Sequence, residues 1–455
     1  MKIFNPASGE VLTELPEDST ESVLEKYKKL KSAQPSWASR SIAERVACLG
    51  RFSDLLEKEK DQLALTLTSE IGKPLKESYN EIKGARDRIR FFLEKSEQYL
   101  QDEWIILDGG TREKIVYEPH GVVANISAWN YPYLVGVNVF VPALIGGNAV
   151  LYKPSANASL TGLHIQDLLY RAGVPKDIFE IIVGRGSVIG DYLLELPLNG
   201  YYFTGSYQTG KHIAEKVASK LVPCQLELGG KDPVYVMDDV ERIDDVAASV
   251  LEGTVYNNGQ SCCAVERIYV HEKIFDEFVE SFARQMKELK IGDPLDDKTQ
   301  IGPLSKIEQR GFLLSQIDDA VKKGATVLSG GKVMSNKGYY FEPAVLVNVN
   351  HDMAIMQEES FGPVVGIQKV SNDDEAIRLM LDSPYGLTSA VYSSNFDRAE
   401  QVMKKMNTGT VYMNCCDRVS ASLPWSGRGH SGIGSTLSYH GIRAFVQPKA
   451  YHIRG

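Results

Sequence analysis

Over the first hundred residues, apolar positions recur at helical spacing. Val23, Tyr27 and Leu30 fall on one face behind Asp18 and Glu21, which stand at capping-box distance, and a second stripe runs through Ile42, Val46, Leu49 and Leu56. Gly72-Lys73-Pro74 punctuates the following turn. This predicts a helical layer packed on something else. From Gly121 the pattern changes to short apolar runs: Val122-Val123-Ala124-Asn125-Ile126, Ala149-Val150-Leu151-Tyr152, residues 178–183 and Tyr201-Tyr202-Phe203. Helix-length segments at 159–172 and 187–196 separate them. Strand alternating with helix predicts right-handed βαβ crossovers and a parallel sheet, with ligands at the carboxyl ends of its strands.

The run Leu226-Glu227-Leu228-Gly229-Gly230-Lys231-Asp232-Pro233 interrupts the series and reads as a domain crossing. A second α/β series is expected from 234 to about 429, with Arg267-Ile268-Tyr269-Val270, Thr326-Val327-Leu328 and Thr410-Val411-Tyr412-Met413 as strands. Two further strand-like stretches, 114–117 and 443–455, lie outside the alternation and suit protruding strands used for assembly. The chain shows no internal repeat, low-complexity tract or long linker.

With 455 residues, 43% hydrophobic and 24% charged, the composition excludes a largely disordered or collagenous chain and suggests two to four domains. Lys and Arg total 50 against 59 Asp and Glu, a net charge of -9 that disfavours nucleic acid and anionic lipid as partners. Cys48, Cys224, Cys262, Cys263, Cys415 and Cys416 form two vicinal pairs and two singletons. That is a poor disulfide framework, and no spacing suggests a metal site. The first residues lack the apolar stretch of a secretion signal. The most apolar region, 133–147, is broken by Asn138 and Pro142 and falls short of the ~20 residues that span a bilayer. A reduced, cytoplasmic protein without a membrane segment is expected.

In Gly259-Gln260-Ser261-Cys262-Cys263, a glycine permits close backbone approach and a following thiol can attack an electrophile once ionised. Taken alone, such a cysteine is more often packing. Trp129-Asn130-Tyr131-Pro132 follows the Val122 run, so Asn130 could aim amide donors at an oxyanion, or merely cap a turn. Glu227 between two leucines is either an edge-strand residue facing water or a carboxyl with a raised pKa, fit for a general base. Phe203-Thr204-Gly205-Ser206 precedes a helix whose amide ends, with the Ser206 hydroxyl, would hold a pyrophosphate, although the spacing is not GxGxxG. Lys153-Pro154-Ser155 adds a cation near the same edge.

Singly these signals are weak; their combination and order are specific. WN at 129–130, KPS at 153–155, FTGS at 203–206, ELGGK at 227–231, GQxC at 259–262, Glu358-Glu359-Ser360-Phe361-Gly362-Pro363 and Pro424-Trp425-Ser426-Gly427 resemble the aldehyde dehydrogenase superfamily, in its NAD(P)-dependent, non-acylating form. The likeness begins at Asn5-Pro6-Ala7-Ser8-Gly9-Glu10 and covers nearly the whole chain.

The resemblance implies an α/β fold: a doubly wound parallel-sheet cofactor domain (1–100 and 120–229), an α/β catalytic domain (230–430) and a small oligomerisation β-flap (101–119 and 431–455). It further implies a homodimer or homotetramer. The activity would be oxidation of an aldehyde to a carboxylic acid with NAD or NADP. Cys262 would attack the aldehyde carbon, Asn130 and the Cys262 N–H would hold the oxyanion, and Glu227 would activate water against the thioester. Cofactor positions would be Lys153 and Ser155 at the adenine ribose, Ser206 at the pyrophosphate, Glu359 and Phe361 at the nicotinamide ribose, and Trp129 and Gly205 lining the cleft.

Three departures stand out. The family's usual ribose-binding glutamate is Ala156 here, which points to acceptance of NADP because nothing repels a 2′-phosphate. A lysine usual nine residues after the asparagine is Val139, and a glutamate usual after SGxG is Thr436, so the customary proton route is missing. Tyr131, Leu134, Asn138, Ser261, Cys263 and Trp425 would line a tunnel for a medium aliphatic or aromatic aldehyde. Arg418 offers a less favoured anchor for a semialdehyde carboxylate. The alternatives are a CoA-acylating relative, which the presence of Glu227 opposes, and an inert binding protein of the same fold.

Overall fold

The computed structural model describes residues 1–105, 111–334 and 337–454. The amino-terminal layer comprises helices Thr20–Ala38, Ile42–Lys58, Lys60–Ile71 and Leu75–Leu100. Val23, Tyr27 and Leu30 are buried on the first, and Leu49, Phe52 and Leu56 on the second. The first cap is Ser19 rather than Asp18, with Ser19 Oγ accepting from the Ser22 N–H at 3.2 Å. Asp18 is engaged elsewhere: its carboxylate takes Lys26 Nζ at 2.6 Å and the Val183 N–H at 2.8 Å, tying the helix to the sheet edge. The second helix begins with the reciprocal Ser41–Glu44 capping box.

A six-stranded sheet lies against this layer, in the order Gly432–Ile433, Cys224–Glu227, Gly200–Thr204, Val122–Ile126, Ala149–Lys153 and Phe179–Ile181. All its pairings are parallel except that of Gly432–Ile433 with Cys224–Glu227. From Val122–Ile126 the chain winds outward through Ala149–Lys153 and Phe179–Ile181, then returns to the other side with Gly200–Thr204. That reversal opens a crevice at the carboxyl ends of the two central strands, where Trp129-Asn130 and Gly205-Ser206 leave the sheet.

Glu227 ends a strand of this sheet and Asp232 starts one of the next, so the paired glycines 229 and 230 carry the chain across. The second sheet has seven strands: Thr326–Ser329, Ala344–Val347, Val364–Val370, Val265–His271, Asp232–Val236, Thr388–Tyr392 and Thr410–Met413. Only its first edge strand runs antiparallel. A third sheet pairs Val446–Arg454 antiparallel with Thr111–Pro119, whose other edge takes Glu103–Ile105. Residues 106–110 and 455 of the expected flap lie outside the described residues. Within its carboxyl part, Gly432–Ile433 joins the first sheet and Ser438–Arg443 is a helix packed on Leu75–Leu100. Among the described residues, no helix is long and apolar enough to cross a membrane, and no cluster of His, Cys, Asp or Glu could hold a metal ion.

Candidate active site

Cys262 lies between helix Ile243–Val255 and strand Val265–His271, on a loop that reverses through Asn257, Asn258 and Gly259 with φ of 54, 57 and 71°. Asparagine tolerates this left-handed backbone through local hydrogen bonds. Gly259 has no substitute, because a Cβ there would sit 2.4 Å from the Gly362 carbonyl carbon. Asn257 Nδ2 donates to the Asn130 and Gln260 carbonyls, each at 3.0 Å. Asn258 donates to Pro303 O at 2.9 Å and accepts from the Gly302 N–H at 2.7 Å. Gln260 Oε1 accepts from the Ser305 N–H at 2.9 Å. The loop is thereby pinned to two separate segments, at 130 and at 302–305, and Cys262 at its end is half-buried. Its neighbour differs in kind. Cys263 is buried, donates to Asp417 Oδ1 at 2.9 Å, and its hydrogen bond with Cys262 and its burial hold the thiol far above the ordinary cysteine range.

Asn130 is buried beyond the Val122 strand, its Nδ2 donating to Gln260 O at 3.2 Å. Its own carbonyl takes Lys73 Nζ at 2.6 Å. Lys73 and Glu81 form a fully buried ion pair at 2.5 Å, and Glu81 also accepts the Tyr133 N–H at 2.8 Å. Lys73, legible in the sequence only as turn punctuation, therefore positions the asparagine. No local periodicity announces a contact between residues 57 positions apart.

Glu227 is flanked by strands on both sides and is only 9% exposed, so it is not a water-facing edge residue. Burial lifts its pKa to about 7, against the pull of the Thr436 hydroxyl, which donates to Oε1, and of the Arg88 charge. Thr436, where a glutamate was expected on family grounds, is thus bonded directly to this carboxyl. Arg88 carried no signal in the sequence.

The other residues face the same crevice. Lys153 ends its strand buried, its Nζ bonded among the described residues only to Pro154 O at 2.9 Å, and burial lowers its pKa to about 8. Ser155 Oγ accepts the Asn157 N–H at 3.4 Å. The Gly205 N–H donates to Glu227 O at 3.0 Å, and Ser206 opens helix Tyr207–Val217, so free amides point outward there. Glu359 folds against the Gly229-Gly230 turn, Oε1 accepting the Gly230 N–H at 3.1 Å, and burial beside Glu266 raises its pKa to about 8. Glu266, paired with buried Lys231 at 2.7 Å, accepts the N–H groups of Ser360 and Phe361 at 2.7 and 2.8 Å. That clamp holds Phe361 at φ 51°, its ring 5.4 Å edge-on from Trp129.

Asn130, Glu227, Cys262, Trp129, Lys153, Ser155, Gly205, Ser206, Glu359 and Phe361 all line one cleft of about 930 Å³. Sequence reasoning missed Lys306, Gln309 and Phe312 on its far wall; Lys306 Nζ lies 5.4 Å from the Trp129 ring centre. An exposed-looking lysine before an unremarkable helix gives no pattern to read.

The sequence pattern that defines the aldehyde dehydrogenase family matches residues 1–451. This chain belongs to the aldehyde dehydrogenase family. It is 34% identical to a succinate-semialdehyde dehydrogenase [NADP(+)] of Deinococcus radiodurans, over 98% of this chain and 93% of that one. It is also 34% identical to the peroxisomal aminoaldehyde dehydrogenase 1 of Pisum sativum, over 98% and 91%. Among solved structures, a betaine aldehyde dehydrogenase of Staphylococcus aureus in complex with NAD+ superposes with a TM-score of 0.96 at 33% identity, covering 100% of this chain and 92% of that one. An Escherichia coli NADP-dependent enzyme gives a TM-score of 0.97 at 30% identity, covering 100% and 94%. The protein is an NAD(P)-dependent enzyme that oxidises an aldehyde to a carboxylic acid, which removes the inert alternative.

In this aldehyde dehydrogenase Arg418 is not poised as an anchor: it points to the surface beside Glu252, 3.5 Å away. Trp425 is buried and pairs with Thr436 through reciprocal backbone bonds of 2.8 Å, so it borders the Glu227 side chain's surroundings.

Proposed function

We propose that Cys262 is the nucleophile, Asn130 with the Cys262 N–H the oxyanion site, and Glu227 the base of this oxidation. The carrying observation is that these three groups, from three separate segments, converge on one cleft. The Cys262 thiolate adds to the aldehyde carbon, forming a thiohemiacetal whose negative oxygen meets the Asn130 amide. Bound NAD(P)+ supplies the hydride acceptor. Loss of hydride leaves a thioester on Cys262, and Glu227 takes a proton from water as that water attacks, releasing the acid and the thiol. Cys263 takes no part, because its thiol stays protonated.

Lys153 and Ser155 would hold the adenine ribose end, Ser206 and the helix amides the pyrophosphate, and Glu359 and Phe361 the nicotinamide ribose. Lys153 fits this duty: it is a buried cation whose hydrogen-bond partner among the described residues is a carbonyl, and no acid follows it at Ala156. That combination favours NADP. The mixed apolar and polar residues Tyr131, Leu134, Asn138 and Trp425 suit a medium aliphatic or aromatic aldehyde. Cytoplasmic residence follows from six unpaired cysteines. The expected division into cofactor domain, catalytic domain and flap is retained, with assembly through the flap, whose strand Glu103–Ile105 exposes Trp104 at 56% and Ile105 at 46%.

An aldehyde panel, including carboxylate-tailed and amine-tailed members, run with NAD and with NADP, tests this reading. Free acid with the higher kcat/KM for NADP is expected. Acyl-CoA as the product, or a strong preference for NAD, would contradict it.

A further inference from the structure

Arg88 sits on helix Leu75–Leu100, outside every motif, yet its side chain crosses to the helix that follows Asn130. Nη1 donates to Leu134 O at 3.2 Å and to Asn138 Oδ1 at 3.1 Å on helix Pro132–Ile145. Among the described residues these are its only bonds, and no carboxylate forms an ion pair with it. The half-buried guanidinium is partly desolvated, and its remaining N–H donors are uncommitted among the described residues. Asn138, which orients it, lines a closed crevice with Val139, Gln225, Glu227 and Thr436. Arg88 is thus bonded to a residue that shares a crevice with Glu227.

Resting on the assignment of Glu227 as base, we propose that Arg88 is a positioning residue for it: the guanidinium, held by Asn138, supplies the positive charge that favours the ionised carboxyl.

The groups facing each partner agree with this. Arg88 feels Glu227 most strongly, then Cys263, Glu81 and Cys262, and Asp417 feels Arg88 in turn. Glu81 is committed to Lys73 and the Tyr133 N–H, and Asp417 accepts the Cys263 thiol, so neither neutralises the guanidinium. Around Glu227 stand Thr436, Gln225 and Trp425, all uncharged, and Arg88 alone carries charge. A positive charge opposite the carboxyl favours its ionised, proton-accepting form and would also steady the thiolate of Cys262. Arg88 moves no proton itself, since guanidinium keeps its protons throughout the working range.

The test is the pH dependence of thioester hydrolysis, read from 6 to 9 by rapid-quench in the intact enzyme with saturating coenzyme. R88Q keeps a donor toward Leu134 and Asn138 but removes the charge. Its rising limb should move up by about one pH unit, slowing hydrolysis about fivefold at pH 7 and about tenfold at pH 6 while the alkaline plateau is kept. R88K should retain the wild-type limb. Adding V139K to R88Q should restore it, because residue 139 lines the same crevice and a purely structural role for Arg88 could not be rescued from another helix. If R88Q does not fold, Asn138→Leu, which frees the guanidinium from its acceptor, should shift the limb in the same direction by less. A limb that E227Q abolishes but R88Q or Asn138→Leu leaves in place overturns the inference alone. So does a loss confined to carboxylate-tailed aldehydes, which would make Arg88 a substrate anchor. A wild-type limb that E227Q leaves unmoved overturns the base assignment and this inference together.

Discussion

Glu227 and Ala156 carry the sharpest consequences of single residues. Burial lifts the Glu227 pKa from 4.5 to about 7, so at pH 6 most of the enzyme holds the carboxyl protonated and unable to accept a proton. Steady turnover should therefore rise through pH 7 and level above it, the sign following from the base acting in its ionised form. Glu227→Gln should abolish that rise and leave a single burst of reduced coenzyme in stopped flow, because acylation survives while hydrolysis stalls; sustained turnover would exclude Glu227 as the base. Alanine at 156 places no carboxylate three residues after Lys153. Ala156→Glu should lower the NADP-to-NAD ratio of kcat/KM at least ~10-fold, about 1.4 kcal/mol. An unchanged ratio would remove this position from coenzyme choice. Both residues were legible in the sequence, one as a carboxylate between leucines and the other as an absence. Lys73 and Arg88 were not, because each acts through a partner far along the chain.

Among the elements, the regular ones followed from periodicity, while the turns that aim the chemistry did not. The strands at 122–126, 149–153 and 200–204 appeared as apolar runs, since parallel strands buried within a sheet leave no alternation to disguise them. The cap of the first helix was misread by one residue because Asp18 is recruited by the sheet edge. The left-handed turn at 257–259 was legible only as a glycine near a cysteine; its two asparagines hold long-range bonds that spacing cannot encode. Gly259→Ala should cost about 1–3 kcal/mol, seen as a fall in Tm, with a larger loss of activity as Cys262 is displaced. Wild-type activity in that variant would show that the loop is less constrained than its φ of 71° implies. Lys73→Met strands Glu81 as a buried unpaired charge. A loss of about 3–5 kcal/mol is expected in urea unfolding, and a loss below 1 kcal/mol would deny the pair its structural role.

At the scale of the whole molecule, two sheets of opposite duty meet at one crevice. The first turns the carboxyl ends of its strands to the crevice, where the coenzyme is proposed to bind, and the second delivers Cys262 and Glu359 on loops that precede its strands. The third sheet stands apart from this chemistry. Removing 446–454 deletes the partner of Thr111–Pro119 along all nine paired positions. Light scattering should then report monomers, against the dimer or tetramer proposed for the full chain; an unchanged mass would move the assembly surface elsewhere. The covalent bond at Cys262 remains the centre of the account. Mass spectrometry of the Glu227→Gln enzyme, quenched after exposure to aldehyde and NADP, tests it most directly: the acyl mass should sit on the peptide containing Cys262 and vanish in Cys262→Ser, whereas acylation that persists in that variant, or no acylation at all, would contradict it.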